Sequence, residues 1–219
     1  MQDADVILLH GLGRTLWVMS KMAKHLAQQG YTVHNLDYRS TRYPIEELAQ
    51  RIYQRITAMR IDGARRPLHF VAHSLGSIIT HWMIKHYHPQ NLGRIVAIGP
   101  PYHGSAIIDH LQHYRWYHWL HGPAAIELTT EAHGICHRLG AIDYELGVIA
   151  GDRCFFTDWF FAKYWLQQPN DGKVEVASTH ITGCRDHIVL PVDHTFEPKY
   201  RQVILQTTYF LHHGRFERV

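Results

Sequence analysis

Ser74 lies in Ala72-His73-Ser74-Leu75-Gly76, where an apolar run (Phe70, Val71, Ala72) stops abruptly and a helical pattern (Ile78, Ile79, Trp82, Met83) begins. A serine on a strand-to-helix turn presents its hydroxyl for nucleophilic attack, and so sharp a turn demands small residues two positions before and after it. Gly76 supplies one, and Ala72 stands where a glycine is usual. The same stretch also reads as a serine that caps a helix N-terminus. For chemistry, the hydroxyl is too weak an acid to attack an ester carbonyl unaided. It needs a histidine to take its proton, a carboxylate to orient that histidine, and N–H groups to hold the developing oxyanion.

Candidates for each partner stand at the ends of apolar runs. Asp5 to Leu9 leads into His10-Gly11-Leu12-Gly13, a Gly-rich turn through which main chain can approach the serine closely. The N–H groups of Leu12 and Leu75 are then the expected oxyanion donors, while a turn that merely reverses the chain would have the same composition. HGLGRT has neither dinucleotide nor P-loop spacing. For the acid, Asp152 follows the run ending VIAG, and Asp171 lies in the PNDGKV turn. Both qualify. For the base, His194 in PVDHTF follows the last strand-like run and precedes a terminal helix, the position from which the base must come. His180 and His187 are rivals that fall in or near strands. His10 and His73 precede the serine and read as supporting residues at the edge of the site.

These stretches need a frame that gathers them. Helical periodicity over Leu16 to Gln29 stops at Gly30, Tyr31 to Leu36 alternates as a strand, and Pro44 opens a helix carrying Ile45, Leu48, Ile52 and Ile56, ending near Asp62-Gly63. Pro67 starts the strand before Ser74, and Arg94 to Gly99 is a fourth strand ending in GPPYHGS. The repeated strand-helix order with short connections predicts a doubly wound α/β fold, a mostly parallel sheet of about six strands with helices on both faces and right-handed crossovers. HGLG, AHSLG and GPPYHGS then share the carboxyl edge of the sheet, where sites form. Residues 106–141 break the pattern with aromatics and histidines (Tyr114, Trp116, Tyr117, Trp119), an irregular lid-like excursion or ordinary packing. Glu145 to Gly151 is a fifth strand, and Phe155 to Leu166 is a second aromatic cluster. Glu175 to Thr182 and His187 to Val192 are strand-like, and Pro198 to His213 is a closing helix.

Length and composition set the outer bounds. The 219 residues fit a single domain spanning 1–219, and no apolar run is long enough to cross a membrane. The start, MQDADVILLH, lacks the marks of a secretory signal, so a cytoplasmic location is expected. A net charge of +3 with scattered basic residues does not suggest nucleic acid. Cys136, Cys154 and Cys184, without CxxC spacing, read as reduced thiols. Among 20 histidines, the pairs His110/His113 and His133/His137 could each share a helix face, but neither has a third ligand of clear spacing, so no metal site is expected.

Taken together, HGLG at His10 to Gly13, AHSLG at Ala72 to Gly76, GPPYHGS at Gly99 to Ser105, NDGKV at Asn170 to Val174 and DHTF at Asp193 to Phe196 resemble the α/β-hydrolase superfamily, and within it the small bacterial serine lipases and esterases. The resemblance spans nearly the whole chain in the right order. It implies Ser74 as nucleophile, His194 as general base and then acid, Asp171 as the orienting carboxylate because related lipases hold their acid in an NDG-type turn, and Leu12 and Leu75 as oxyanion donors. The expected activity is hydrolysis of a small-molecule or lipid ester without a cofactor. An acyltransferase or thioesterase using the same residues, and a non-catalytic binding protein on this scaffold, are the alternatives.

Overall fold

A computed structural model describes residues 3–63, 65–155 and 159–218. Six strands form one all-parallel sheet: β1 (Asp5–Leu9), β2 (Thr32–Leu36), β3 (Leu68–His73), β4 (Leu92–Ile98), β5 (Leu146–Gly151) and β6 (Asp186–Leu190), in the order β2-β1-β3-β4-β5-β6. Strands buried on both faces need apolar residues at odd and even positions alike, and β1 shows the result. Ile7 and Leu9 enter one core with Phe70, Ala72, Ala97 and Val148, whereas Val6 and Leu8 enter the other with Val71, Val96 and Ile149. The first core is closed by α2 (Ile45–Ala58) and α3 (Leu75–Tyr87), the second by α1 (Ser20–Gln28) and α8 (Arg201–His213). Each fully buried aliphatic or aromatic side chain contributes about 1.5–3 kcal/mol to holding these layers together.

Local chemistry sets the element ends. Pro44 fixes the entry to α2, Glu46 and Glu47 face the positive end of its dipole, and Arg55 lies in its last turn. The helix stops at Ala58, short of the Asp62-Gly63 signal, because Arg60 turns into a left-handed conformation at φ 57°. α3 is buried from Leu75 through Ile84 and forms the central helix of the molecule. In register, Leu9 lies beside Leu36 and Ala72, and Ala72 beside Ala97. The turns after β1, β3 and β4 therefore end at one level.

Residues 106–141 are more regular than their weak periodicity suggests. They hold α4 (Ala106–Leu111), α5 (Arg115–His121), α6 (Pro123–Ile126) and a 3-10 turn at Ile135–Arg138. Helices this short cannot show several periods of a hydrophobic pattern, and in α5 only Tyr117 is buried while Trp116 and Trp119 face outward. Glu175 to Thr182 does not form a strand. It holds the 3-10 turn Val176–Thr179, in which the Thr179 hydroxyl donates to the Val176 carbonyl at 2.7 Å, a local bond that competes with strand pairing. The second aromatic cluster contains α7 (Trp159–Trp165), while Phe156 lies outside the described residues. Among the described residues no helix is long and apolar enough to cross a membrane.

Candidate active site

Ser74 occupies the junction of β3 and α3 with φ 53° and ψ −122°. A β-carbon at positive φ costs on the order of 1–3 kcal/mol, a strain that persists only where the surroundings enforce it. Its hydroxyl makes no capping bond to α3, so the helix-cap reading does not hold. What enforces the turn is packing against the end of β1. A β-carbon added at Gly76 would come within 2.8 Å of both the Leu9 and His10 carbonyl oxygens, so no larger residue fits two positions after the serine. The Ser74 N–H donates to the Ile98 carbonyl at 2.8 Å, fastening the turn to β4.

The structure brings the serine to His194 and Asp171. Ser74 Oγ lies 2.9 Å from His194 Nε2, and His194 Nδ1 lies 2.7 Å from Asp171 Oδ2. With the Nδ1 proton donated to the carboxylate, Nε2 is left to accept the serine proton. Asp171 is itself aligned by its turn, its Oδ1 accepting N–H bonds from Lys173 at 2.9 Å and Val174 at 2.7 Å, and the His194 N–H donates to the Asp171 carbonyl at 3.0 Å. All three residues are buried. Asp152, the other candidate acid, is not part of this row; its carboxylate faces Arg153 at 3.5 Å. His187 bonds the Thr179 hydroxyl and stacks on His180 at 4.1 Å, and neither meets Ser74.

His10 and His73 support the loops. Buried His10 donates from Nδ1 to the Gly11 carbonyl at 2.9 Å, stacks on Tyr38, and has its carbonyl bonded by the Tyr38 hydroxyl, which fixes the turn carrying Leu12. Burial lowers its pKa. His73 Nε2 donates to the His194 carbonyl at 3.1 Å, tying the serine turn to the histidine loop. Its pKa is held well below the ordinary histidine value, chiefly by burial and then by the neighbouring His194, so it stays neutral. Leu75 is the first residue of α3 and its N–H has no partner within the helix, while the Leu12 N–H meets no backbone acceptor among the described residues.

The family model described as serine aminopeptidase, S33, matches residues 1–142, well over half of the chain and including the Leu12 and Ser74 turns. The chain belongs to this family of α/β-hydrolases. The hydrolase is also similar in structure to the lipase BlEst2 of Bacillus licheniformis in its mature form, with a TM-score of 0.70 and 16% identity over 97% of this chain and 92% of that one. It resembles the phospholipase PlaB of Legionella pneumophila with a TM-score of 0.67 and 18% identity over 81% and 45% of the two chains. A third likeness is to the type II thioesterase BorB of the borrelidin cluster, with a TM-score of 0.56 and 14% identity over 95% and 90%. These TM-scores show a shared fold. No curated protein matches the hydrolase in sequence.

A cavity of about 430 Å³ opens beside Ser74 and His194. Its wall is apolar where α4 and the following segment contribute Ile107, Ile108, Leu111, Tyr117 and Leu128. The larger depression, about 1090 Å³, lies at the opposite edge of the sheet around Asp3, His69 and Arg94 and shares no residue with this site.

Glu197 is a member of the site that motif reasoning missed. It is fully buried, with Oε2 3.9 Å from His194 Nδ1 and 3.8 Å from His73 Nε2, and neither oxygen has a hydrogen-bond partner. A β-carbon at Gly99, whose φ is +55°, would overlap that carboxyl, so β4 ends in glycine to make room for it. Glu197, His73 and His194 are the cluster of potential metal donors among the described residues, but both His194 ring nitrogens are already committed to Asp171 and Ser74. Burial, then the nearby Asp171 and Asp193, raise the Glu197 pKa well above the usual carboxylate value, so the group is carried as a neutral acid. Folding therefore favours its protonated form. The stabilisation is complete below the unfolded-state pKa and is lost as pH rises through the folded-state value. Glu197→Gln should leave the melting temperature near that of the parent at pH 5 and raise it at pH 9 in scanning fluorimetry, by about 2–4 °C for each kcal/mol relieved.

Proposed function

We propose that the protein is a serine carboxyl-ester hydrolase working through an acyl-enzyme. The observation that carries this reading is the continuous hydrogen-bonded row from the strained Ser74 through His194 to Asp171. As Ser74 Oγ attacks the acyl carbonyl, its proton passes to His194 Nε2, and the Asp171 carboxylate stabilises the imidazolium that results. The Leu12 and Leu75 N–H groups hold the oxyanion, where loss of one such donor costs about a hundredfold or more in turnover. His194 then returns the proton to the leaving alcohol, and water, activated by the same ring, releases the acid. The acyl group lies along Ile107, Ile108 and Leu111. In this reading residues 1–219 act as one catalytic unit, and the 106–141 segment is its substrate-side cover. No step calls for a cofactor.

A fluorophosphonate probe tests the nucleophile directly. Folded protein should be labelled stoichiometrically, with the adduct on the peptide containing Ser74 by mass spectrometry, and prior labelling should abolish hydrolysis of a short-chain nitrophenyl ester. Absence of labelling in folded protein would favour the non-catalytic alternative.

A further inference from the structure

Next to the cavity beside Ser74 lies a second one, of about 690 Å³, and the two share Gly13, Arg14 and His121 in their walls. Their linings differ in character. The first is apolar on its α4 side. The second is lined by Arg14, Arg39 and Arg42, with Asp37 as its acidic residue. Asp37 accepts the Leu16 N–H at 3.1 Å through Oδ1 and its side chain is half exposed, so three guanidinium groups line this depression against one carboxylate. Lys173 adds a further cation on the first cavity's wall, which includes no carboxylate.

Among the described residues some arginines find carboxylates, and others, such as Arg55, Arg60, Arg115 and Arg201, do not. Arg51, Arg66, Arg94, Arg138, Arg185 and Arg218 all form ion pairs. Among the described residues, Arg14, Arg39 and Arg42 form none, although they converge on one depression. Gathering like charges without partners costs folding free energy, and the arrangement suits a ligand that brings the missing negative charge. The guanidinium fork matches phosphate oxygens two at a time, in a geometry that lysine does not offer. The field of Arg14 and Lys173 also reaches buried His73 beside Ser74, adding to the effect of burial that lowers its pKa.

Resting on the ester-hydrolase reading, we propose that the substrate is an acyl ester of a phosphate-bearing alcohol: the acyl chain fills the apolar cavity at Ser74, and the phosphate of the leaving group sits among Arg14, Arg39 and Arg42. The acyl C–O bond breaks, water supplies hydroxyl to the acyl carbon and hydrogen to the alcohol oxygen, and the phosphorylated alcohol departs with its phosphate intact. Hydrolysis of a phosphate ester bond itself is not involved.

The test compares octanoyl glycerol 3-phosphate with octanoyl glycerol, two substrates that differ only in the anionic group. The intact protein should show a kcat/KM at least about tenfold higher for the phosphate ester, and 0.5 M salt should shrink that preference by screening it. The double variant Arg39→Gln/Arg42→Gln should bring the ratio close to one; both side chains are exposed, so the fold is not at stake. Vesicles of phosphatidic acid form a further arm. Faster turnover on vesicles than on the soluble ester assigns the phosphate to a lipid headgroup, and the reverse assigns it to a soluble ester. A ratio of one or below in the unaltered protein, with octanoyl glycerol still hydrolysed through Ser74, overturns the phosphate assignment while leaving the hydrolase reading intact. Failure to hydrolyse any of these esters, together with no labelling of Ser74, overturns both.

Discussion

Ser74→Ala is expected to lower turnover of a short-chain nitrophenyl ester by about 10⁵–10⁶-fold, leaving the residual rate that binding and oxyanion donors alone provide. The size of the effect follows from the way the row works as a unit. With Oγ gone, the His194 base has no proton to take and Asp171 has no imidazolium to stabilise. Substrate affinity should change little, since an alanine side chain keeps the shape of the turn and the apolar wall is untouched. The same position supports a second measurement. Alanine retains the β-carbon that is strained at φ 53°, whereas glycine does not. Ser74→Gly should therefore be as inactive as Ser74→Ala but melt several degrees higher, because relief of about 1–3 kcal/mol moves the midpoint by about 2–4 °C per kcal/mol in a chain of this size. Activity within tenfold of the parent in either variant would remove Ser74 from the chemistry. Equal melting temperatures for the two would mean that the strain is no larger than the roughly 0.4–1 kcal/mol by which glycine stabilises the unfolded chain.

What was legible in the sequence is what depends on short-range chemistry. Apolar or alternating runs marked the six parallel strands, and the glycine-bearing turns after β1, β3 and β4 marked the common edge shared by HGLG, HSLG and GPPYHGS, because strand burial and turn geometry are written in consecutive residues. His194 could be picked from 20 histidines only by its place after the last strand. Three features were not legible. The short helices of residues 106–141 lack enough turns to display a period, and in the Val176–Thr179 turn the hydroxyl of β-branched Thr179 bonds locally to the Val176 carbonyl, which holds the backbone in a turn instead of a strand. Glu197 stands three residues after His194 in no motif. Its role is defined by distant chain, namely the glycine end of β4 and the side chains of His73 and Asp171. A buried acid of this kind has no signature except the space that opposing residues leave for it, and Gly99 is the trace of that space in the sequence.

The acid is where sequence left two candidates, and an isosteric change separates them by function. In Asp171→Asn, an amide takes the place of the carboxylate in a turn held by the Lys173 and Val174 N–H groups. The amide oxygen can keep those bonds, which turns its NH₂ toward His194 Nδ1. That ring nitrogen must then act as acceptor, the proton moves to Nε2, and the tautomer able to receive the Ser74 proton is lost. A fall in kcat of roughly 10³–10⁴ is expected, with KM nearly unchanged and fluorophosphonate labelling slowed in proportion. Glu197 offers no replacement, since its oxygen is 3.9 Å from Nδ1 and burial keeps it neutral. Asp152→Asn is the matched control: its carboxylate faces Arg153 just after β5, outside the row, and kcat should stay within about twofold of the parent. If the two variants exchanged these outcomes, the row from Ser74 to Asp171 would not be the working one, and the oxyanion and acyl assignments built on its direction would fall with it.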